Sequence, residues 1–237
     1  MLELLLASIL ATVTRLESRL PEVQAYRSTL DNLESGLPGS KVEQSFDAEL
    51  ALRSALLRSV GKESVIESLS GTEFESLSKR LPGVILNREE VLLAEPDPKF
   101  FLSLARRRGG ATDVQFFENY AATIPDGVWK SYTIQQTDVS GCTDFANGEL
   151  VKRFAGWLAF RSAHPRAYIS AVSGQLAAIE KEVSEGICAC GSRSGVLNEL
   201  ERFVQTFPDS RVASKVRGRI RAIRRSKATI RFNCHSG

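Results

Sequence analysis

Apolar residues in this chain recur mostly three and four positions apart, the spacing of helices that bury one face. Met1 to Val13 is apolar apart from Glu3, Ser8 and Thr12, and the pattern runs on through Leu16, Leu20 and Val23. This predicts an amphipathic helix over 2–20 and a second over 22–35, with Pro21 at the junction. The opening run is too short to span a bilayer. It also lacks the basic start of a secretory signal, since the first base is Arg15. Residues 42–60 place Phe46, Leu50, Leu57 and Val60 on one helical face, closed by Gly61. A short helix is expected over 62–69. Thr72 followed by Glu75 reads as a capping box for a helix through Leu81, stopped by Pro82-Gly83.

Further on, helices are expected over 99–108, 112–124, 149–163, 165–185, 195–207 and 210–226. Gly109-Gly110, Pro125-Asp-Gly127 and Gly186 act as stops. Glu95-Pro-Asp-Pro98 is the stiffest hinge and is taken as a domain boundary. Residues 128–147 are the least helical: Val128, Trp129, Tyr132, Thr133 and Ile134 favour strand, in an insertion that looks short and isolated. The end of the chain, Thr229 to Cys234, alternates like a strand. The expected fold is mainly α, a multi-helix bundle of helical hairpins with an irregular or extended insertion near 128–147. An acidic helical region, 1–95, precedes a region, 96–237, that is tied by disulfides and ends in a basic helix.

Composition is that of a globular protein, 43% hydrophobic and 25% charged, which disfavours disorder. The net charge of +3 hides an asymmetry: residues 210–237 hold nine bases and no acid. Arg211, Lys215, Arg217, Arg219, Arg221, Arg224, Arg225, Lys227 and Arg231 surround the apolar stripe Val212, Val216, Ile220 and Ile223. One face of such a helix enters a core and the rest is basic. Arg217, Arg221 and Arg224 are therefore candidates for binding an acidic protein partner. Peripheral contact with anionic headgroups is a second reading. The bland alternative is a solvated helix whose bases answer acids elsewhere in the fold. Nucleic acid is disfavoured, because no aromatic side chains interleave with the bases. The hairpin 195–226, with its Phe207-Pro-Asp-Ser210 turn, resembles those of tetratricopeptide-like scaffolds. The likeness covers about 30 residues of a common turn type, and no such repeat recurs elsewhere.

The four cysteines, Cys142, Cys188, Cys190 and Cys234, all follow residue 141. Bonding Cys188 to Cys190 would close a strained ring. Two disulfides are therefore expected, with Cys142 joined to one member of the Cys-Ala-Cys step and Cys234 to the other. Such bonds point to a periplasmic or secreted protein. The alternatives are a zinc site using Cys188, Cys190, Cys234 and either Cys142 or His235, or free buried thiols. Cys-x-Cys is not the usual zinc knuckle, so no metal is assigned.

The segment 126–149 is the expected binding surface, with Trp129, Tyr132, Gln135, Gln136 and Asp138 on an irregular loop. Asp138 and Glu149 form a weaker candidate pair for general acid–base hydrolysis of a saccharide. Against both stands a loop whose polar side chains, such as Asp144 or Asn147, simply cap the next helix. Nucleotide-binding and metalloprotease motifs are absent, so no cofactor is expected. The function that follows is a non-enzymatic binding or adaptor protein of the bacterial cell envelope or extracellular space. A carboxylate hydrolase of cell-wall saccharide and a zinc-stabilised cytosolic interaction protein are the alternatives.

Overall fold

The computed structural model describes residues 20–60, 62–89, 91–137, 140–227 and 230–232. The helix expected over 2–20 lies outside them apart from Leu20, as do Asp138, Cys234 and His235. The described chain is mainly helical and falls into two compact units. The first contains the chain up to Phe117 together with Asp126–Val128. The second contains Glu118–Pro125 and the chain from Trp129 onward. The Glu95-Pro-Asp-Pro98 segment sits inside the first unit.

In the first unit, α1 (Pro21–Glu34) and α2 (Val42–Leu56) form a helical hairpin. A two-stranded turn, β1 (Ser59–Val60) and β2 (Glu63–Ser64), replaces the end of the helix expected over 42–60 and the start of the one expected over 62–69. Helix α3 (Gly71–Arg80) does open on a capping box, but two residues earlier than expected. Ser70 Oγ accepts the Glu73 N–H at 3.2 Å, and Glu73 accepts the Ser70 N–H at 2.8 Å. Strands β3 (Val84–Asn87) and β4 (Leu93–Pro96) form an antiparallel hairpin. Asp97 then caps α4 (Pro98–Arg108) by accepting the Lys99 N–H at 2.8 Å. The core is aromatic. Phe46 meets Phe101, Phe116 and Phe117 edge-on at 5.2–5.5 Å, while Phe101 and Phe117 stack. Gly83 has a φ of +79° and no room for a side chain, because the Phe100 ring lies against it.

Helix α5 (Ala111–Thr123) ends in the second unit. There Thr123 accepts the indole N–H of buried Trp157 at 3.1 Å. The unit is built on a four-stranded sheet, ordered β5 (Thr133–Gln135), β6 (Gly141–Asp144), β7 (Cys188–Cys190), β8 (Arg231–Phe232). Strand β5 is antiparallel to β6, whereas β6, β7 and β8 run parallel. Parallel neighbours need long crossovers. Here each crossover is a helical hairpin: α6 (Glu149–Ala163) with α7 (Ile169–Glu185), then α8 (Arg193–Thr206) with α9 (Ala213–Arg224).

The helical hairpins agree with the expected fold. The isolated insertion does not: 128–147 supplies two strands of a sheet completed by residues near 189 and 231. Between described residues one disulfide is formed, Cys142–Cys190, with Cα atoms 5.3 Å apart on neighbouring strands. Of the two partners expected for Cys142, the bond is made to Cys190, not Cys188. A second bond is not among the described features, because Cys234 lies outside them.

Candidate functional site

Helix α9 buries Ala213, Val216, Ile220 and Ile223 and turns nearly everything else outward. Its bases meet three different fates. Arg219 points inward and donates to the carbonyls of Glu182 and Val183, both at 2.8 Å, and to that of Gly186. It thereby caps the C-terminus of α7, where the helix dipole favours a cation. Its face also lies over the Phe145 ring at 5.6 Å.

A second group answers acids of its own unit. Arg211 pairs with buried Glu180, Lys215 with Glu185, and Arg224 with Glu201 at 2.7 Å. The acids that match the basic tail thus come from α7 and α8. The third group is unmatched. Arg221, Arg225 and Lys227 are exposed and make no ion pair among the described residues. Arg217 is also exposed and reaches only the Pro208 carbonyl, at 3.4 Å. Of the expected triad, Arg217 and Arg221 keep their charge for solvent, while Arg224 is engaged by Glu201.

That Pro208 carbonyl belongs to the rim of a cavity of about 480 Å³, enclosed within the second unit by α6, α7 and the α8–α9 turn. Phe154, Leu158, Leu176 and Phe207 give it apolar walls. Arg161 and Asp209 stand exposed on it without ion-pair partners among the described residues, while Glu180 is neutralised by Arg211. The sequence concealed this site because Arg161 falls within an otherwise apolar helical stripe. The turn at 207–210 reads as a linker, although it forms one wall.

The expected loop site is largely structural. Tyr132 is buried, 2% exposed, with no hydrogen-bond partner for its hydroxyl. Burial, aided by the Glu182 carboxylate, pushes its pKa up. Its aromatic ring is core, which corrects its placement on a binding surface. Trp129 is half-buried with its ring against Gly141, and the Gln136 N–H donates to the Ser140 carbonyl at 2.9 Å. Gln135 alone of the described candidates is fully on the surface, beside exposed Ile134 on the edge strand β5.

Glu149 is held by Lys152 at 3.0 Å and Arg153 at 2.8 Å. Burial would raise its pKa, but these two cations outweigh it and hold the carboxyl below its ordinary value. It is therefore poorly suited to donating a proton. Helix α6 opens on Gly148, in the left-handed region at φ +75°, so it has no capping side chain of its own. Instead, buried Glu199 of α8 accepts the Val151 N–H at 3.3 Å, and Asn147 accepts the Glu149 N–H at 2.9 Å. Burial pushes the Glu199 pKa up against the pull of that N–H and of Arg202.

Among the described residues no cluster of His, Cys, Asp and Glu could hold a metal ion. Two of the thiols available to a zinc site are already joined in the Cys142–Cys190 disulfide. No described helix is long and apolar enough to cross a membrane. Comparison with known proteins returns no matching family model, no similar curated sequence and no similar solved structure.

Proposed function

We propose that this chain is a non-enzymatic binding protein of an oxidising compartment, the bacterial envelope or the extracellular space, that grips an acidic protein partner with α9. The observation that carries the reading is the row Arg217, Arg221 and Arg225. It is exposed along α9 and just beyond its end, where Glu180, Glu185 and Glu201 are already paired with Arg211, Lys215 and Arg224. Positions four residues apart share a helical face, so the row spans about 12 Å at 1.5 Å per residue. A protein partner is favoured over a bilayer because the apolar stripe of α9 is turned into the core. No apolar face is left to enter the headgroup layer.

The compartment rests on the Cys142–Cys190 bond, since such bonds persist where thiols are oxidised. In this reading Cys188 pairs with Cys234, the cysteine that remains. Non-reducing peptide mapping checks the assignment: a free thiol at Cys188 in native protein would remove it.

The binding reading is tested with polyglutamate and with lipid vesicles of matched negative charge. Polyglutamate is expected to bind at low salt and to release as salt rises. Replacing Arg217, Arg221 and Arg225 by glutamate should weaken binding at least tenfold. Unchanged binding, or binding to vesicles alone, would sink the proposal. No described observation favours the hydrolase reading.

A further inference from the structure

We propose that the cavity between α6, α7 and the α8–α9 turn receives one large apolar side chain of the acidic partner, with a flanking carboxylate meeting Arg161. This rests on the basic-helix reading and adds what that reading lacks, a source of sequence specificity.

Several observations lead to it. The cavity, at about 480 Å³, lies within the usual range of ligand pockets, roughly 300–1,000 Å³. Its walls include two aromatic rings, Phe154 and Phe207, which themselves pack at 4.8 Å. Buried Glu180 would repel an anionic ligand, but Arg211 neutralises it and Ser210 donates to it at 3.3 Å. Arg161 is exposed at the rim with no acid to answer it among the described residues.

The apolar surface also continues outside. Ile169 lies on the α7 face that carries Ser173, Leu176 and Glu180, and it is 60% exposed. Finally, cavity and basic row are continuous: Pro208 lines the cavity, and its carbonyl accepts from Arg217, the first member of the row. An extended acidic segment can therefore set one apolar side chain in the cavity and lay its remaining acids along α9. Asp209, exposed on the same rim, sets the direction by repelling carboxylates on its side.

The test uses the full chain and two labelled acidic heptapeptides, one with a central phenylalanine and one with a central alanine, read by fluorescence polarisation. Burying the ring should make the phenylalanine peptide bind at least tenfold more tightly. Ser173→Phe, at an exposed position on the cavity wall, should obstruct the space and remove most of that preference. Arg161→Gln should weaken both peptides. Equal affinity for the two peptides in the unaltered protein would overturn the cavity proposal and leave the basic-helix reading standing. Binding of neither peptide at low salt would overturn both. A preference that survives Ser173→Phe, in protein whose circular dichroism is unchanged, would place the aromatic site elsewhere and overturn the cavity assignment alone.

Discussion

Glu49 offers the sharpest test of how the first unit is held together. It is 0% exposed on the inner face of α2, and neither carboxyl oxygen has a hydrogen-bond partner. Arg53, one turn on, is taken by Glu95 at 2.7 Å. Burial first, and the Glu95 charge second, push the Glu49 pKa up to about 9 from 4.5, with Arg53 pulling weakly the other way. The folded protein then keeps this carboxyl protonated at neutral pH, whereas the unfolded chain ionises it.

A raised folded pKa means that stability is fully present below the unfolded value and is lost as pH rises toward the folded one. From 4.5 to pH 7 the cost is about 3 kcal/mol, at 1.36 kcal/mol per pH unit. That figure holds for any folded pKa comfortably above 7. Glu49→Gln keeps the shape and removes the proton. It should be near-neutral at pH 5 and stabilise by about 3 kcal/mol at pH 7, with more at pH 8. Urea unfolding at these pH values, with hydrogen exchange on α2 peptides to isolate the first unit, measures the difference. A variant no more stable than its parent at pH 7, or a difference that does not grow with pH, would refute a buried, protonated Glu49.

Removing Cys142 and Cys190 together, as serines, should lower the stability of the second unit by about 4 kcal/mol, from loop-closure entropy at a separation of 48 residues. A loss below about 1 kcal/mol in urea unfolding would contradict a stabilising bond. Arg219→Met removes the guanidinium from the carbonyls of Val183 and Gly186 and from that of Glu182, which keeps only the Gly186 N–H, and should cost about 2–4 kcal/mol. Arg219→Lys should recover less than half, since one ammonium cannot reproduce the planar fork; tryptophan fluorescence melts read both. Glu149→Gln should lose roughly 0.5 kcal/mol at pH 7. Its lowered folded pKa means the stabilisation is present above the ordinary carboxyl value and vanishes as pH falls through the folded one. Parent and variant melting temperatures should therefore converge in acid.

Local signals in the chain were readable wherever the answer was local. Helix 149–163 was read to the residue, because its apolar spacing, its terminating His-Pro and its glycine start all agree. For helix α2 the apolar spacing predicts an inward face of Phe46, Leu50 and Leu57, whereas Ser45, Glu49 and Leu52 share the buried face with Phe46. A buried serine and a buried carboxylate look like solvent positions to any pattern of polarity. The β3–β4 hairpin escaped because β3 does not alternate in burial, and the two buried positions of β4 are Ala94 and Pro96, residue types that do not signal a strand. The four-stranded sheet escaped for another reason. Strands of two to four residues carry almost no periodicity, and their partners lie some 45 positions away. The basic helix was legible as charge, but which bases are already paired depends on Glu180, Glu185 and Glu201, which only the folded chain brings near. The cavity was invisible because two separate helices and a distant turn make it.

The parallel order of β6, β7 and β8 has a consequence for how the second unit is assembled. A whole helical hairpin intervenes in sequence between each of these neighbours, so their pairing closes long loops at high contact order and is expected to be slow. In that interval Cys142 faces a choice between two thiols only two residues apart. The bond goes to Cys190, whose Cα lies 5.3 Å from that of Cys142, although Cys188 is on the same short strand. An early oxidation at the wrong one would hold β6 and β7 by an incorrect tether until it was exchanged. The yield of correctly oxidised protein should therefore depend on whether thiol–disulfide exchange outlasts the docking of α6 and α7. A cell that makes this chain would gain from supplying a disulfide isomerase alongside the oxidant.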